Sequence, residues 1–240
     1  MRNQKVYEAD DKMISLIKDN YNVLQSLGCF GINLGFGDKT VRTVCEEQNV
    51  DTLTFLTVVN FTINGERSVI DLANLSVPTL LRYLKASHEY YNGFQLPFIR
   101  KELCEAIDIE SSLGKLIMKL YDAYAKAITS HMKFEEKMVF PYIEKLLEGE
   151  LSDNYDIDTY SKHHGQEGER LRELKSIIIS ICLLISCITI NCRPRFMIYI
   201  IMKTGYAYMP KWRKRFFCLP SNVLRIKTKK AEWGRRYLIC

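Results

Sequence analysis

A chain of 240 residues, 47% hydrophobic and 26% charged, is long enough to bury a core and reads as one domain with an appendage or as one medium and one small domain. Its net charge of +6 conceals a break at Ser180: before it 21 Lys and Arg stand against 27 Asp and Glu, a charge of −6, and from it onward 13 stand against 1, a charge of +12. With no leading signal peptide, no CxxC or other zinc-like spacing and five of eight cysteines beyond that break, composition does not indicate disulfides and predicts a soluble protein with reduced thiols in a cytoplasm.

Residues 1–66 form a first, small helical block. In "GCFGINLGFGDKTVRTVCEEQNVD" a glycine-rich loop precedes a short helix expected to be capped by Asp38, and "DTLTFLTVVNF" follows as a second short helix capped by Asp51. Four glycines in ten residues invite a phosphate-cradle reading. The P-loop Lys-Ser/Thr is missing, however, and no strand leads into the loop.

Residues 67–179 form the second block, all helical. "LSVPTLLRYLKASHEYYNGFQLPFIRKELCEAI" opens with Ser76 as N-cap and Pro78 in the first turn, where its missing N–H is harmless. Apolar residues recur at helical spacing through Leu80, Leu81, Leu84, His88 and Tyr91, which puts His88 on the buried face, and Pro97 is expected to kink this helix or end it briefly. A second long helix spans about Ser112 to Leu147, with Pro141 near its end, and a third begins near Asp158 with "SKHHGQEGERLRELKSII". Three long amphipathic helices with short connections predict an up-down bundle that lacks its fourth member.

The four histidines, His88, His131, His163 and His164, fall one on each of the first two bundle helices and as an adjacent pair on the third. Each taken alone reads as a core or surface histidine making local hydrogen bonds; their joint distribution over helices points to a metal. In "HMKFEEKMVFPYI" a spacing of four sets His131 and Glu135 one turn apart on one helix face, whereas Glu136 points about 100° away. Imidazole suits iron, zinc or copper, and a carboxylate able to bridge two ions favours iron. Of the adjacent pair, His164 rather than His163 is the expected ligand.

From "KASHEYYNGFQLPFIRKEL" through "HMKFEEKMVFPYI" to "HHGQEGERL" the chain resembles the hemerythrin-like HHE cation-binding domain, and a small first domain ahead of it resembles the di-iron proteins that repair iron-sulfur clusters. The resemblance implies two non-haem iron ions held by His88, His131, Glu135 and His164, with Glu135 bridging. It also implies a further His-xxx-Glu pair on a fourth helix, yet no histidine follows His164. Repair-type members usually carry a Cys-Cys pair in the small domain, where this chain has "INLGFGDKT" and only Cys29 and Cys45 nearby.

Residues 180–240, basic and cysteine-rich, do not continue the bundle. "IIISICLLISCITI" is 14 residues, short of the roughly 20 a spanning helix needs, and the basic aromatic remainder would suit nucleic acid only as a minority reading. A lost nucleotide near Ser180 accounts better for the break. Read two bases on, Met202-Lys203 must encode Glu, Met209-Pro210 Ala and Phe217-Cys218 Leu; with chosen synonymous codons the hidden frame gives "HAQVEKKIFLPAI", whose His, Glu and Pro match the spacing of "HMKFEEKMVFPYI". The tail is thus expected to be out of frame and poorly ordered, leaving four protein ligands for two ions, weak or mononuclear metal binding and an exposed groove.

Three functions compete on this reading. The first is a di-iron protein repairing iron-sulfur clusters after oxidative or nitrosative stress, with damaged iron-sulfur proteins as partners. The second is a module binding or sensing dioxygen or nitric oxide. The third is a helical scaffold anchored to membrane or nucleic acid through its tail.

Overall fold

Seven-residue helices are marginal on their own, yet the chain begins with three, each closed onto a shared core. The computed structural model describes residues 5–64 and 74–148 with the isolated positions 176 and 180, and among these every regular element is helical. The one strand-like pairing among them is an isolated bridge between Lys12 and Thr40. The expected helix near Asp158, His163, His164 and the tail beyond Ser180, apart from position 180 itself, lie outside the described residues.

The chain divides into two compact units, the first ending at His88 and the second starting at Glu89. In the first, α1 (Met13–Asp19), α2 (Val23–Cys29), α3 (Val41–Glu47) and α4 (Thr52–Asn64) bury Met13, Leu16, Val23, Leu27, Val41, Val44 and Phe55 together. Helices α1 and α2 have no counterpart in the sequence reading. Packing makes them: α1 buries Met13, Leu16 and Ile17, whereas α2 buries the polar Ser26 alongside Val23 and Leu27, so no apolar pattern marks it.

Asp38 does not cap α3, as the sequence reading expected. The helix starts later, at Val41, and Thr40 is the cap, its Oγ1 accepting the Thr43 N–H at 3.2 Å; Asp38 instead meets Lys12 at 3.2 Å on the surface. The glycines ahead of it serve the turn, since Gly35 and Gly37 take φ of 99° and 59°, a region that side chains resist. Asp51 does cap α4, accepting the Thr54 N–H at 2.8 Å.

Buried Asn60 of α4 fastens the N-terminal segment as a second backbone would. Tyr7 N–H donates to its Oδ1 and its Nδ2 donates to Tyr7 O, both at 2.8 Å. Asn60→Ala strands a buried donor and acceptor at once, so a loss of about 2–4 kcal/mol in urea unfolding is expected. A shift no larger than that of an exposed substitution such as Tyr21→Ala would contradict this.

Helix α5 (Val77–Tyr90) starts as the sequence predicts, with Ser76 Oγ accepting the Thr79 N–H at 3.4 Å and Pro78 in the first turn. The helical path continues through a π-helical segment, π1 (Tyr91–Gln95), into α6 (Leu96–Ala106). Pro97 therefore neither ends the helix nor breaks it: the turn before it widens, and Leu96 N–H donates to Tyr91 O five residues back.

After a tight turn, α7 (Ser112–Phe134), π2 (Glu135–Val139) and α8 (Phe140–Leu147) make one path over the span expected from sequence. Contacts pair Asn92 with Thr129, Arg100 with Asp122 and Cys104 with Met118, so this path runs antiparallel to π1 and α6. Between them lie Tyr91, Leu96, Ile99, Leu103, Tyr121, Tyr124, Ile128 and Met132. This is the start of the all-helical bundle that the periodicity implied.

Candidate metal centre

Helix α7 delivers the central pair. Apolar residues at helical spacing, Ile117, Tyr121, Tyr124, Ile128 and Met132, turn one face inward, and His131 and Glu135 continue it. Both are buried, His131 at 5% and Glu135 at 0% relative exposure, and Nε2 of His131 lies 3.0 Å from Oε1 of Glu135. Glu136 is exposed, as its angular offset predicted.

A carboxylate removed from water costs several kcal/mol unless a positive charge or strong hydrogen bonds compensate. Among the described residues, His131 is the neighbour placed to compensate Glu135, by direct contact or as a fellow ligand of one cation. The 3.0 Å gap is the length of an ordinary hydrogen bond and also suits two side chains that would share one cation. Val139 and Phe140, buried one turn on, keep the position dry.

His88, in the last turn of α5, is fully buried at 0% exposure, on the face shared with Leu80, Leu81 and Leu84 that the periodicity assigned to it. Nε2 of His88 and Oε2 of Glu135 are buried atoms with no hydrogen bond among the described residues, although both residues have other interactions. The structure thus brings His131 and Glu135 together and buries His88. His164 is outside the described residues, and among them no group of three or more His, Cys, Asp or Glu is gathered so as to hold a metal ion.

Among the described residues the cysteines are not gathered into a second metal-binding group. Burial pushes the thiols of Cys29 and Cys45 up to about 12, so neither is a thiolate near neutral pH in the metal-free chain. Both are free.

Residues 79–189 match the family model described as the hemerythrin HHE cation-binding domain. The iron-sulfur cluster repair protein ScdA of Staphylococcus haemolyticus (strain JCSC1435) is 20% identical over 146 residues, which make up 59% of this chain and 66% of that protein, just under two thirds of its length. No solved structure gives a significant match.

Proposed function

From a chain that carries a hemerythrin HHE cation-binding domain over residues 79–189, we propose a non-haem iron protein whose ligands include His88, His131, Glu135 and His164, acting in repair of oxidant- or nitric-oxide-damaged iron-sulfur clusters. The observation that carries the metal reading is the fully buried Glu135 carboxylate 3.0 Å from the buried His131 imidazole. The similarity to the iron-sulfur cluster repair protein ScdA supports the repair role.

When bound, iron would supply redox chemistry and an open position for a small molecule such as dioxygen or nitric oxide. The protein's part is to present His131 and Glu135 side by side from one helix face and to keep water out with Ile128, Met132, Val139 and Phe140. Glu135, with two carboxylate oxygens, is the group suited to bridging a pair of ions.

A second reading, reversible binding or sensing of dioxygen or nitric oxide, draws support from the small unit, which has no adjacent Cys-Cys pair and only Cys29 and Cys45. An anchoring role would rest on the tail alone; among the described residues no helix is long and apolar enough to cross a membrane.

The test is anaerobic Fe(II) loading of the full chain, followed by metal analysis and by two assays: recovery of activity in a cluster-damaged enzyme, and spectral reversal on removing dioxygen or nitric oxide. With the tail out of frame, uptake of at most one ion is expected, abolished in a His131→Ala, Glu135→Gln double variant. Uptake indifferent to that double change would sink the metal reading. Reversal without recovery would favour the sensor.

A further inference from the structure

Two adjacent glutamates, Glu135 and Glu136, compete for the interior, and the sequence spacing alone does not explain how the helix keeps the first inside beyond Phe140. We propose that Pro141 is a positioning residue for Glu135: the widened turn it enforces selects Glu135 over Glu136 as the carboxylate beside His131, an inference that rests on the metal-binding reading above.

In a regular α-helix each residue advances about 100° and each N–H reaches four residues back, so Phe140 would donate to Glu136 and sit above it. Here Phe140 N–H donates instead to Glu135 O, five residues back. The surplus residue is taken up by Glu136, Lys137 and Met138, all exposed, while Glu135, Val139 and Phe140 stay buried. Phe140 and Ile143, each 1% exposed, anchor the path downstream. If those anchors hold and the turn tightens to α, Glu136 moves beneath Phe140 and Glu135 rotates outward by about 100°. His131 and the inward carboxylate would then be five residues apart, off the four-residue stack that pairs them.

Proline supplies the cause. It has no N–H, and its ring collides with the carbonyl four residues back, here that of Lys137, unless the turn opens. The same layout occurs independently in the other helical path: π1 starts at buried Tyr91, whose carbonyl accepts the Leu96 N–H, and Pro97 stands six residues after Tyr91 as Pro141 stands six after Glu135. Each widened turn ends two residues before a proline.

Two measurements on the full chain test this. Through-hydrogen-bond NMR coupling should link the Phe140 amide to the Glu135 carbonyl, and in P141A to that of Glu136. Co(II) titration should show E135Q weakening binding about ten-fold or more and E136Q changing it less than about two-fold, with the order reversed when P141A is added. P97A, in the counterpart turn, should leave the order as it is, and P141S repeats the test should P141A lose its helical signal. A coupling to Glu135 that persists in both proline variants, or E135Q remaining the damaging change beside P141A, overturns the assignment. If E135Q leaves Co(II) binding intact in the parent chain, the metal reading fails instead, and the coupling still decides the turn.

Discussion

Gly114→Ala is expected to destabilise the chain by roughly 2–4 kcal/mol, although alanine is the better helix former by about 1 kcal/mol. A Cβ at Gly114 would lie 2.0 Å from the backbone oxygen of Asp108 and 2.8 Å from its carbonyl carbon, so backbone rather than a flexible side chain must yield. The turn that would move is fastened tightly: Ser111 Oγ donates to Asp108 O at 2.7 Å and accepts the Gly114 N–H at 2.9 Å, the cap of α7. Displacing Asp108 therefore also loosens that cap, worth about another 1 kcal/mol. Urea unfolding followed by circular dichroism reads the effect, with exposed Leu113→Ala as the neighbouring control. A midpoint that matches the control would show that residues 108–111 can shift freely, and the account of this turn would be wrong.

How much of this was legible in sequence depends on whether a feature is written in local periodicity. Ser76 with Pro78, Asp51, the inward His88 and the span from Ser112 to Leu147 all rest on spacings within a few residues, and the structure keeps each of them. The His131–Glu135 pair was legible for the same reason, since one turn of helix is enough to bring it together. What failed depended on tertiary contacts. Helices α1 and α2 are too short to show a period, and Thr40 replaces Asp38 as cap because the bridge to Lys12 sets where the chain enters α3. The prolines fall between these cases. Pro97 and Pro141 announce a disturbed helix, but whether it breaks, kinks or widens depends on buried anchors on both sides, and those are visible only once folded.

Inserting one nucleotide at the codons around Ser180 is expected to raise Fe(II) uptake from one ion or fewer to two per chain and to raise the thermal midpoint. The described residues bring only two donors, His131 and Glu135, into contact, and no third gathers with them. His88 and His164 extend the proposed set to four, still few for two ions. The restored frame would add the His permitted across Tyr208-Met209 and the Glu permitted across Trp212-Arg213, with a proline six residues after that Glu, as Pro141 follows Glu135. It would also return a fourth apolar face. Burying eight to ten apolar side chains at about 1.5–3 kcal/mol each outweighs the roughly 5–15 kcal/mol by which domains are usually stable, so the same insertion is expected to stabilise the chain. Gene sequence across Ile179 to Ser186, iron content and a melting curve decide the matter together. Two ions bound by the chain as written, or no gain in iron on restoring the frame, would leave residues 180–240 as protein in their own right and remove the reason for looking past them.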